Sequence, residues 1–382
     1  MPDHTEKPKT ALVLTGGGAR AAYQVGVLKA VCELMPEGSG NPFPILCGTS
    51  AGAINAASLA VYARQFRHGV RRLNRVWRNF HVDHVFKADP KSILLNGARW
   101  LLAMMGGGFG KRKAAYLLDR DPLANLLRRY FNFKDIQLAI ESGALYALSI
   151  TASGYISGQS VSFYQGVDEL VPWRRARRIG IRSRIELEHL MASSAIPFLF
   201  KAIRIKRDYF GDGSMRQSAP ISPALHLGAD RVLVIGVHKE ESEDSQRVES
   251  NEYPSPAQIV GHVLNSIFLD SLDADLERLR RINKTLNTIS SSGNAGNIPL
   301  REVDVLMVSP SEDLGEIAQR HAHHLPRTLR FFLRGIGAMK KENGSSLISY
   351  LLFEQSYCQE LISLGYADAM QKKEELMAFL RI

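Results

Sequence analysis

One serine of this 382-residue chain lies in a setting that would prepare its hydroxyl for nucleophilic chemistry. Ser50 follows the apolar run ILC and lies in Gly-Thr-Ser-Ala-Gly, where a short strand gives way to a helix-forming segment. The small residues around it, Gly48, Thr49, Ala51 and Gly52, allow a tight turn that presents the hydroxyl and aims helix N-terminal amides at it. This pattern predicts a nucleophile elbow.

A second glycine-rich turn, TGGGAR at residues 15–20, ends the first apolar run of the chain. In a parallel sheet the carboxyl ends of neighbouring strands meet at one edge, where ligands bind. We therefore expect the amides of Gly17, Gly18 and Ala19 to face the same crevice as Ser50. Because glycines let a backbone approach a substrate closely, these amides are suitable donors for an oxyanion.

Other interpretations of this glycine turn compete with an oxyanion hole. Gly16, Gly18 and Ala21 satisfy the G-x-G-x-x-G/A fingerprint of dinucleotide-binding turns. That fingerprint requires an acidic residue after the next strand, where this sequence has LCGTS, and the Walker lysine pattern is missing as well. A nucleotide role is therefore disfavoured, whereas a tight strand-to-helix turn that serves packing alone stays open.

A serine nucleophile needs a general base, and the residues alone offer two candidates. Asp212 lies between glycines in YFGDGSM, after the strand-like segment AIRIK, but this spacing alone is more typical of an ordinary Asp-Gly turn. His238, at the end of the apolar run RVLVIGVH, would fit the serine–acid–histidine order of the α/β-hydrolases. The choice of base stays open at this point.

The elements that would position these residues alternate between strands and helices. Apolar runs typical of buried strands lie at 11–15, 45–49, 144–152, 160–165, 202–206, 231–238 and 302–310. Helical spacing of apolar residues follows the first two runs, over 19–35 and 51–66, and recurs near 257–287, 313–338 and 348–380. This order predicts an α/β fold of three α/β/α layers, with a mainly parallel central sheet and a helical C-terminal portion.

We expect a catalytic domain over residues 10–240 and a helical extension over 241–382 that packs on the same domain. The segment 80–135 departs from the regular alternation and combines large apolar side chains with a glycine run. It is a candidate cap or insert over the site, with an ordinary helix pair as the alternative. A polar stretch at 239–256 predicts an exposed loop near the boundary.

The formal net charge of +10 points to an anionic partner, although a merely basic surface explains it equally well. Basic clusters at 66–78, 111–113 and 173–184 would attract an anionic membrane, and solvated helix faces are an equal alternative. The apolar segment 93–110 would enter a headgroup region or cap an acyl channel, but ordinary core packing is the better interpretation.

The sequence also favours a reducing compartment. Three scattered cysteines without a C-x-x-C pair offer no disulfide framework. The N-terminus carries no apolar signal-peptide region, and no run of about 18 uncharged apolar residues predicts a membrane-spanning helix. We therefore expect a cytoplasmic protein, with peripheral contact to the inner membrane face as a further option.

Four segments, taken in this order, resemble the patatin-like phospholipases. They are the glycine turn GGGAR, the serine turn GTSAG, the segment MASSAIPFLF at 191–200, and the aspartate turn of Asp212, Gly213 and Ser214. The similarity covers roughly residues 10–240. Two positions depart from the family pattern, since Ser214 stands where a second glycine is usual and Ala21 where a glycine is frequent. Neither departure removes a reacting group.

The resemblance implies a patatin-like fold with a Ser–Asp dyad, in which Ser50 is the nucleophile and Asp212 the base. It implies that the Gly16–Ala19 loop holds the oxyanion and that Arg20 anchors this loop. It also implies hydrolysis of acyl esters of phospholipids, lysophospholipids or neutral lipids, without a metal or other cofactor. A partly apolar crevice would raise the pKa of Asp212 and make it a better base.

Two other functions remain as alternatives to this serine carboxylic ester hydrolase. A Ser-His-Asp esterase of the α/β-hydrolase type would act on soluble esters through a downstream histidine such as His238. A non-enzymatic module would bind membranes or nucleic acid through its basic surface. Because the sequence lacks a basic motif interleaved with aromatic residues of a known reader type, no nucleic-acid partner is expected.

Overall fold

The computed structural model describes residues 8–87, 89, 95, 116–239, 255–268, 270–291, 300–335, 337–339 and 345–382. Within these residues ten strands form a single sheet in the order β10-β9-β1-β2-β3-β4-β6-β5, and β8 joins β3 to β7. The strands are β1 (Thr10–Leu14), β2 (Ile45–Thr49), β3 (Ala147–Gly154), β4 (Ser160–Gly166), β5 (Trp173–Arg175), β6 (Arg178–Arg182), β7 (Ile203–Ile205), β8 (Asp208–Asp212), β9 (Arg231–Ile235) and β10 (Asp304–Val308).

The centre of the sheet is parallel, from β10 through β9, β1 and β2 to β3. Sequences such as TALVL in β1 are apolar at nearly every position because helices cover both faces of these strands, and every residue of β1 and β2 is buried. Antiparallel pairing begins at β3, which contacts both β4 and β8. The three-layer α/β fold predicted from the sequence is confirmed.

Fourteen helices are present in the described part of the chain, besides short 3-10 turns. They are α1 (Ala22–Leu34), α2 (Ala51–Val61), α3 (Phe66–Arg78), α4 (Asp121–Tyr130), α5 (Lys134–Glu141), α6 (Leu187–Ser193), α7 (Ser222–His226), α8 (Pro256–Phe268), α9 (Asp270–Ser291), α10 (Leu314–His321), α11 (Arg327–Gly335), α12 (Ser345–Leu351), α13 (Gln355–Gln371) and α14 (Lys373–Leu380). None of the described helices is long and apolar enough to cross a membrane.

The C-terminal region is built into the domain at two places. Helix α13 packs closely along α1, where a Cβ on Gly26 would lie 2.1 Å from Ile362 O and one on Gly365 would lie 2.2 Å from Tyr23 O. Strand β10 extends the central sheet beside β9. Residues after 240 therefore contribute a strand as well as helices, and the division of the chain at residue 240 stays a prediction.

All seven predicted strands are present, and their bounds differ from the predictions by only a few residues. The sequence did not indicate β5, β6 or β8. The basic cluster at 173–184 forms the β5–β6 hairpin instead of a solvated helix face, since Trp173 pairs with Gly180 across the two strands. The apolar segment 93–110 apart from Leu95, the KRK cluster at 111–113 and most of the polar stretch at 239–256 lie outside the described residues.

Candidate active site

Ser50 lies between β2 and α2 in a strained backbone conformation. Its φ of 54° and ψ of −126° belong to a region that side chains other than glycine rarely adopt. The turn is also crowded, because a Cβ on Gly52 would lie 2.3 Å from Leu14 O and one on Gly48 would lie 2.5 Å from Gly52 O. Both flanking glycines are thus required for a turn this tight.

Adjacent strands bring an aspartate to this serine. Strand β2 pairs with β3, and β3 pairs with β8 so that Ala152 lies opposite Asp212. The Ser50 hydroxyl donates a hydrogen bond of 2.6 Å to Oδ2 of Asp212. The other carboxylate oxygen, Oδ1, accepts the backbone N–H of Ser214 at 3.0 Å. The two residues singled out in the sequence therefore lie in direct contact.

The environment of Asp212 favours a proton on its carboxyl group more than water does. The side chain is fully buried, and this burial raises the pKa of Asp212 to about 6, even though hydrogen bonds from Ser50 and Ser214 and the charge of Arg120 oppose the shift. The carboxyl group therefore remains ionised at neutral pH but binds a proton more readily than an exposed aspartate. Those are the properties of a general base.

The backbone of Ser50 is fixed by the segment that follows β6. The Ser50 N–H donates to Oγ of Ser193 at 2.9 Å, and the Ser193 hydroxyl donates to Thr151 O at 2.6 Å. The next residues hold Asp212 in turn, since its N–H donates to Ala195 O at 2.8 Å. This gives a physical role to the segment MASSAIPFLF, which touches both members of the pair.

Arg120 is a site residue that the sequence did not indicate. It is 5% exposed, and its guanidinium donates to Ser194 O at 2.8 Å and to Met191 O at 2.9 Å. Burial lowers the pKa of Arg120 to about 10, and the charge of Asp212 opposes this shift. Arg120 therefore supplies a buried positive charge near Asp212. Its position depends on tertiary packing, and no local motif marks it.

The glycine turn is anchored by Arg20. Nε of Arg20 donates to Ser349 Oγ at 2.8 Å, Nη2 donates to Ser346 Oγ at 3.1 Å, and the guanidinium stacks 4.3 Å from the Tyr350 ring centre. The backbone N–H of Arg20 donates to Gly17 O at 3.1 Å and is therefore occupied within the turn. The predicted anchor thus holds the turn against α12.

Gly16, Gly17, Gly18 and Ala19 are all buried at the end of β1, and Gly18 reaches the same cavity as Ser50. Gly18 has a φ of 56°, and a Cβ there would lie 2.3 Å from Tyr350 O. Only glycine fits this position, both in conformation and in space. The glycine turn and the serine turn therefore face one crevice, as the strand order predicts.

The candidate histidine lies elsewhere. His238 Nε2 is 3.0 Å from Asp273 Oδ2, so its partner is a carboxylate on α9. The hydrogen bond of the Ser50 hydroxyl goes to Asp212. Within the described residues, no group of three or more His, Cys, Asp or Glu side chains is placed to hold a metal ion.

A cavity begins at Ser50 and Gly18 and runs between α2, α3 and α4. Most of its wall is aliphatic or aromatic, as with Ile54, Trp77 and Leu127. The arrangement combines a serine, a carboxylate and glycine amides at one end of an apolar channel, which suits an acyl ester.

The family model for patatin-like phospholipases matches residues 12–225, which is more than half of the chain. The chain belongs to the patatin-like phospholipase family. This match confirms the resemblance seen in the sequence. No curated protein sequence gives a significant match.

Among solved structures, this patatin-like chain is similar to VipD from Legionella pneumophila, at 13% identity and a TM-score of 0.35 over 97% of this chain and 67% of that one. Human GIVD cytosolic phospholipase A2 in complex with methyl gamma-linolenyl fluorophosphonate and terbium chloride gives 10% identity and a TM-score of 0.44, over 98% of this chain and 59% of the other. The type III effector protein ExoU gives 14% identity and a TM-score of 0.30, over 96% of this chain and 54% of the other.

This patatin-like phospholipase therefore spans about 54–67% of the length of these structures.

Part of its cavity lies outside the four motifs that carry the family resemblance. Helix α4 lines the channel with Leu123, Leu126 and Leu127 and lies within the segment predicted to be a cap or an ordinary helix pair. Within that segment, residues 88, 90–94 and 96–115 lie outside the described residues.

Proposed function

We propose that the protein is a lipid acyl hydrolase of the phospholipase A or lysophospholipase type that uses a Ser50–Asp212 dyad. The observation that carries the proposal is the 2.6 Å hydrogen bond from the Ser50 hydroxyl to a buried carboxylate. A strained turn presents the hydroxyl to the cavity, and burial raises the pKa of the carboxyl group to about 6. Both features favour transfer of the serine proton to Asp212.

In the acylation step, Ser50 Oγ attacks the ester carbonyl carbon while its proton passes to Asp212. The carbonyl oxygen becomes an oxyanion, which the amides at Gly17, Gly18 and Ala19 stabilise as hydrogen-bond donors. Gly16 belongs to the same turn, and Arg20 anchors it without donating its backbone N–H to the oxyanion, because that N–H is occupied by Gly17 O. The intermediate then collapses, and the leaving alcohol takes the proton from Asp212.

In the deacylation step, water attacks the acyl-Ser50 ester and gives a proton to Asp212. Collapse of the second tetrahedral intermediate releases the fatty acid, and the proton returns to Ser50 Oγ. The turns around the pair keep their geometry during both steps: Gly48, Thr49, Ala51 and Gly52 around the serine, and Gly213 and Ser214 after the aspartate. No metal or organic cofactor is needed for this sequence.

The substrate is proposed to be a phospholipid or another lipid ester, since the cavity beside Ser50 is apolar. Peripheral contact with an anionic membrane is proposed from the net charge of +10 and from the exposed basic residues of α3 and of the β5–β6 hairpin. Residues 10–240 are proposed as the catalytic domain, with 241–382 as an extension that also supports the glycine turn.

The test is hydrolysis of p-nitrophenyl butyrate and of a lipid panel, with products identified by mass spectrometry. Ser50→Ala and Asp212→Asn are each expected to lower kcat by at least about 10³-fold, because both groups act in the same proton transfer. A fluorophosphonate probe should label Ser50 in the wild-type protein, with the site found by peptide mapping.

Matched controls are Ser39→Ala and Asp168→Asn, which change an exposed serine and an exposed aspartate away from the cavity. Both should retain wild-type activity. Near-wild-type hydrolysis by a folded Ser50→Ala protein would falsify the proposal. A loss of about 10⁴-fold in His238→Ala, with Asp212→Asn still active, would instead support the Ser-His-Asp esterase.

A further inference from the structure

The channel that begins at Ser50 follows one face of helix α2. Ser50, Ile54, Ser58 and Tyr62 all line it, and they are spaced four residues apart. Residues four apart are neighbours on a helix surface, so these side chains form a continuous row along α2 that winds gradually around it. Ser50 is the N-cap of α2 and Tyr62 its C-cap. The channel therefore extends along the whole helix.

The length of α2 gives the length of this row. Tyr62 is twelve positions after Ser50, and a rise of about 1.5 Å per position places their Cα atoms roughly 18 Å apart. An extended alkyl chain advances about 1.25 Å per carbon, given carbon–carbon bonds near 1.5 Å. An acyl group attached to Ser50 would therefore reach Tyr62 with about 14 carbons.

A cation lies at the distal end of this apolar channel. Arg72 lines the cavity, and its guanidinium carbon is 5.4 Å from the Tyr62 ring centre and 5.2 Å from the Tyr130 ring centre. Within the described residues, no carboxylate forms an ion pair with it. Its Nε is shielded from solvent and has no hydrogen-bond partner among the described residues. Arg72 is thus a partly buried charge without a counter-ion among the residues that the structure describes.

We propose that Arg72, held between Tyr62 and Tyr130, determines which acyl chains the enzyme accepts. An apolar chain longer than about 14 carbons would press against a guanidinium and desolvate it, which is unfavourable. A chain that ends there in a carboxylate would instead supply the missing partner. The distal end of the channel is therefore a subsite for an anionic acyl terminus.

The phosphate of a phospholipid is a poorer candidate for this subsite. In a glycerophospholipid the phosphate is separated from the scissile ester by only a few bonds, so it would lie close to Ser50 while that ester reacts. Arg72 packs beside Tyr62, at the opposite end of α2. The group that reaches Arg72 is consequently the far end of the acyl chain.

The inference rests on the proposed hydrolysis at Ser50 and is tested on the full chain with p-nitrophenyl esters in mixed micelles. The first readout is the ratio of kcat/KM for octadecanoyl to that for decanoyl ester. Arg72→Leu should raise this ratio about tenfold, because an apolar side chain no longer excludes the longer chain. Arg71→Leu, an exposed neighbour on the same helix, should keep the wild-type ratio.

The second readout compares p-nitrophenyl esters of tetradecanoic acid and of tetradecanedioic acid, which carries a carboxylate at its far end. Wild type should prefer the dioic monoester, and Arg72→Leu should lose this preference by about tenfold. A merely structural role of Arg72 would change stability and both rates together without changing this ratio. Arg72→Gln, which keeps most of the side-chain length, replaces the leucine variant if that protein does not fold.

A third variant tests the course of the channel. Ile54→Phe narrows it one turn from Ser50 and should lower the ratio of decanoyl to butanoyl hydrolysis about tenfold. Unchanged chain-length and carboxylate preferences in the Arg72 variants, or an unchanged profile in Ile54→Phe, would overturn the inference. Such a result leaves hydrolysis at Ser50 intact, whereas an active Ser50→Ala protein refutes the proposed function itself.

Discussion

The glycine turn after β1 and the serine turn after β2 face one cavity, yet they meet opposite conformational demands. Gly18 has a φ of 56° and no room for a Cβ beside Tyr350 O, so the backbone itself has to occupy that place. Ser50 has a φ of 54° and carries a side chain in a conformation better suited to glycine. The serine turn thus tolerates backbone strain so that a side chain can face the cavity, whereas the glycine turn requires glycine so that backbone amides can face it.

Among the changes that test this comparison, the largest effect on kcat is expected from adding a methyl group to the glycine turn. In Gly18→Ala the new Cβ would lie 2.3 Å from Tyr350 O, so the turn has to move. Displaced amides would stabilise the oxyanion less, and kcat should fall by about 10²–10³-fold, as when one oxyanion donor is removed. Steady-state hydrolysis of p-nitrophenyl butyrate measures the change.

Gly38→Ala is the matched control for this prediction. Gly38 also has a positive φ, of 77°, but nothing lies within 4 Å of a Cβ there. The substitution should therefore cost only about 1 kcal/mol of stability through backbone strain and leave kcat unchanged. If Gly18→Ala behaves like Gly38→Ala, the crowded glycine turn has no part in catalysis.

The serine turn differs from the glycine turn in facing a buried carboxyl group. The pKa of Asp212 is raised by burial from 3.8 to about 6, so the folded state binds the proton more tightly than the unfolded state. Stability therefore falls as pH rises from about 4 to about 6 and stays lower above that window, by on the order of 3 kcal/mol.

The side chain in Asp212→Asn cannot ionise, so the stability of this variant should not fall as pH rises from about 4 to about 6. At pH 8 the variant should be more stable than wild type by up to about 3 kcal/mol, and at pH 4 the difference should shrink toward zero. Its amide can still accept from the Ser214 N–H and donate to Ser50 Oγ. Urea unfolding at both pH values measures the difference, and equal stabilities at pH 8 would contradict the buried ionised carboxylate.

The same titration should limit activity at low pH. Because protonated Asp212 cannot accept the serine proton, kcat/KM should fall about tenfold per pH unit below pH 6. The profile should keep this limb in His238→Ala, since His238 pairs with Asp273 and not with Ser50. A profile that stays flat down to pH 5 would exclude Asp212 as the base.

The smallest effect compares two inactive variants of the serine turn. Ser50→Gly relieves the strained backbone, whereas Ser50→Ala keeps a Cβ in the same conformation. Ser50→Gly should therefore be the more stable of the two by about 1 kcal/mol, although glycine loses more backbone entropy on folding than alanine does. Thermal unfolding of both proteins measures this difference, and a more stable alanine variant would show that the turn is unstrained.

The strand pattern made most of the fold predictable. Runs such as TALVL and RVLVI are apolar at nearly every position because parallel strands are covered on both faces, and this pattern is visible without tertiary information. The strands that were missed are short or have exposed residues. Strand β5 has only three residues, and β8 begins with Asp208 and Tyr209, so neither carries a recognisable apolar run.

The site was predictable only where it depends on local turns. Ser50 and Asp212 each lie in a glycine-flanked turn, and their order along the chain resembles that of a known family. Arg120 and Arg72 could not be predicted, because each obtains its role from distant segments packed around it. Arg120 donates to Met191 O and Ser194 O, and Arg72 stacks on Tyr130.

The hydrogen bonds between Arg20 and α12 limit how far this chain can be shortened. The family segment ends at residue 225, but the serines that hold Arg20 are Ser346 and Ser349. A fragment that ended at residue 225 would keep Ser50 and Asp212 but lose the two serines that hold Arg20 and its glycine turn in place. Substitutions in α12 are therefore expected to shift the glycine turn, although α12 lies far along the chain from the motifs that carry the family resemblance.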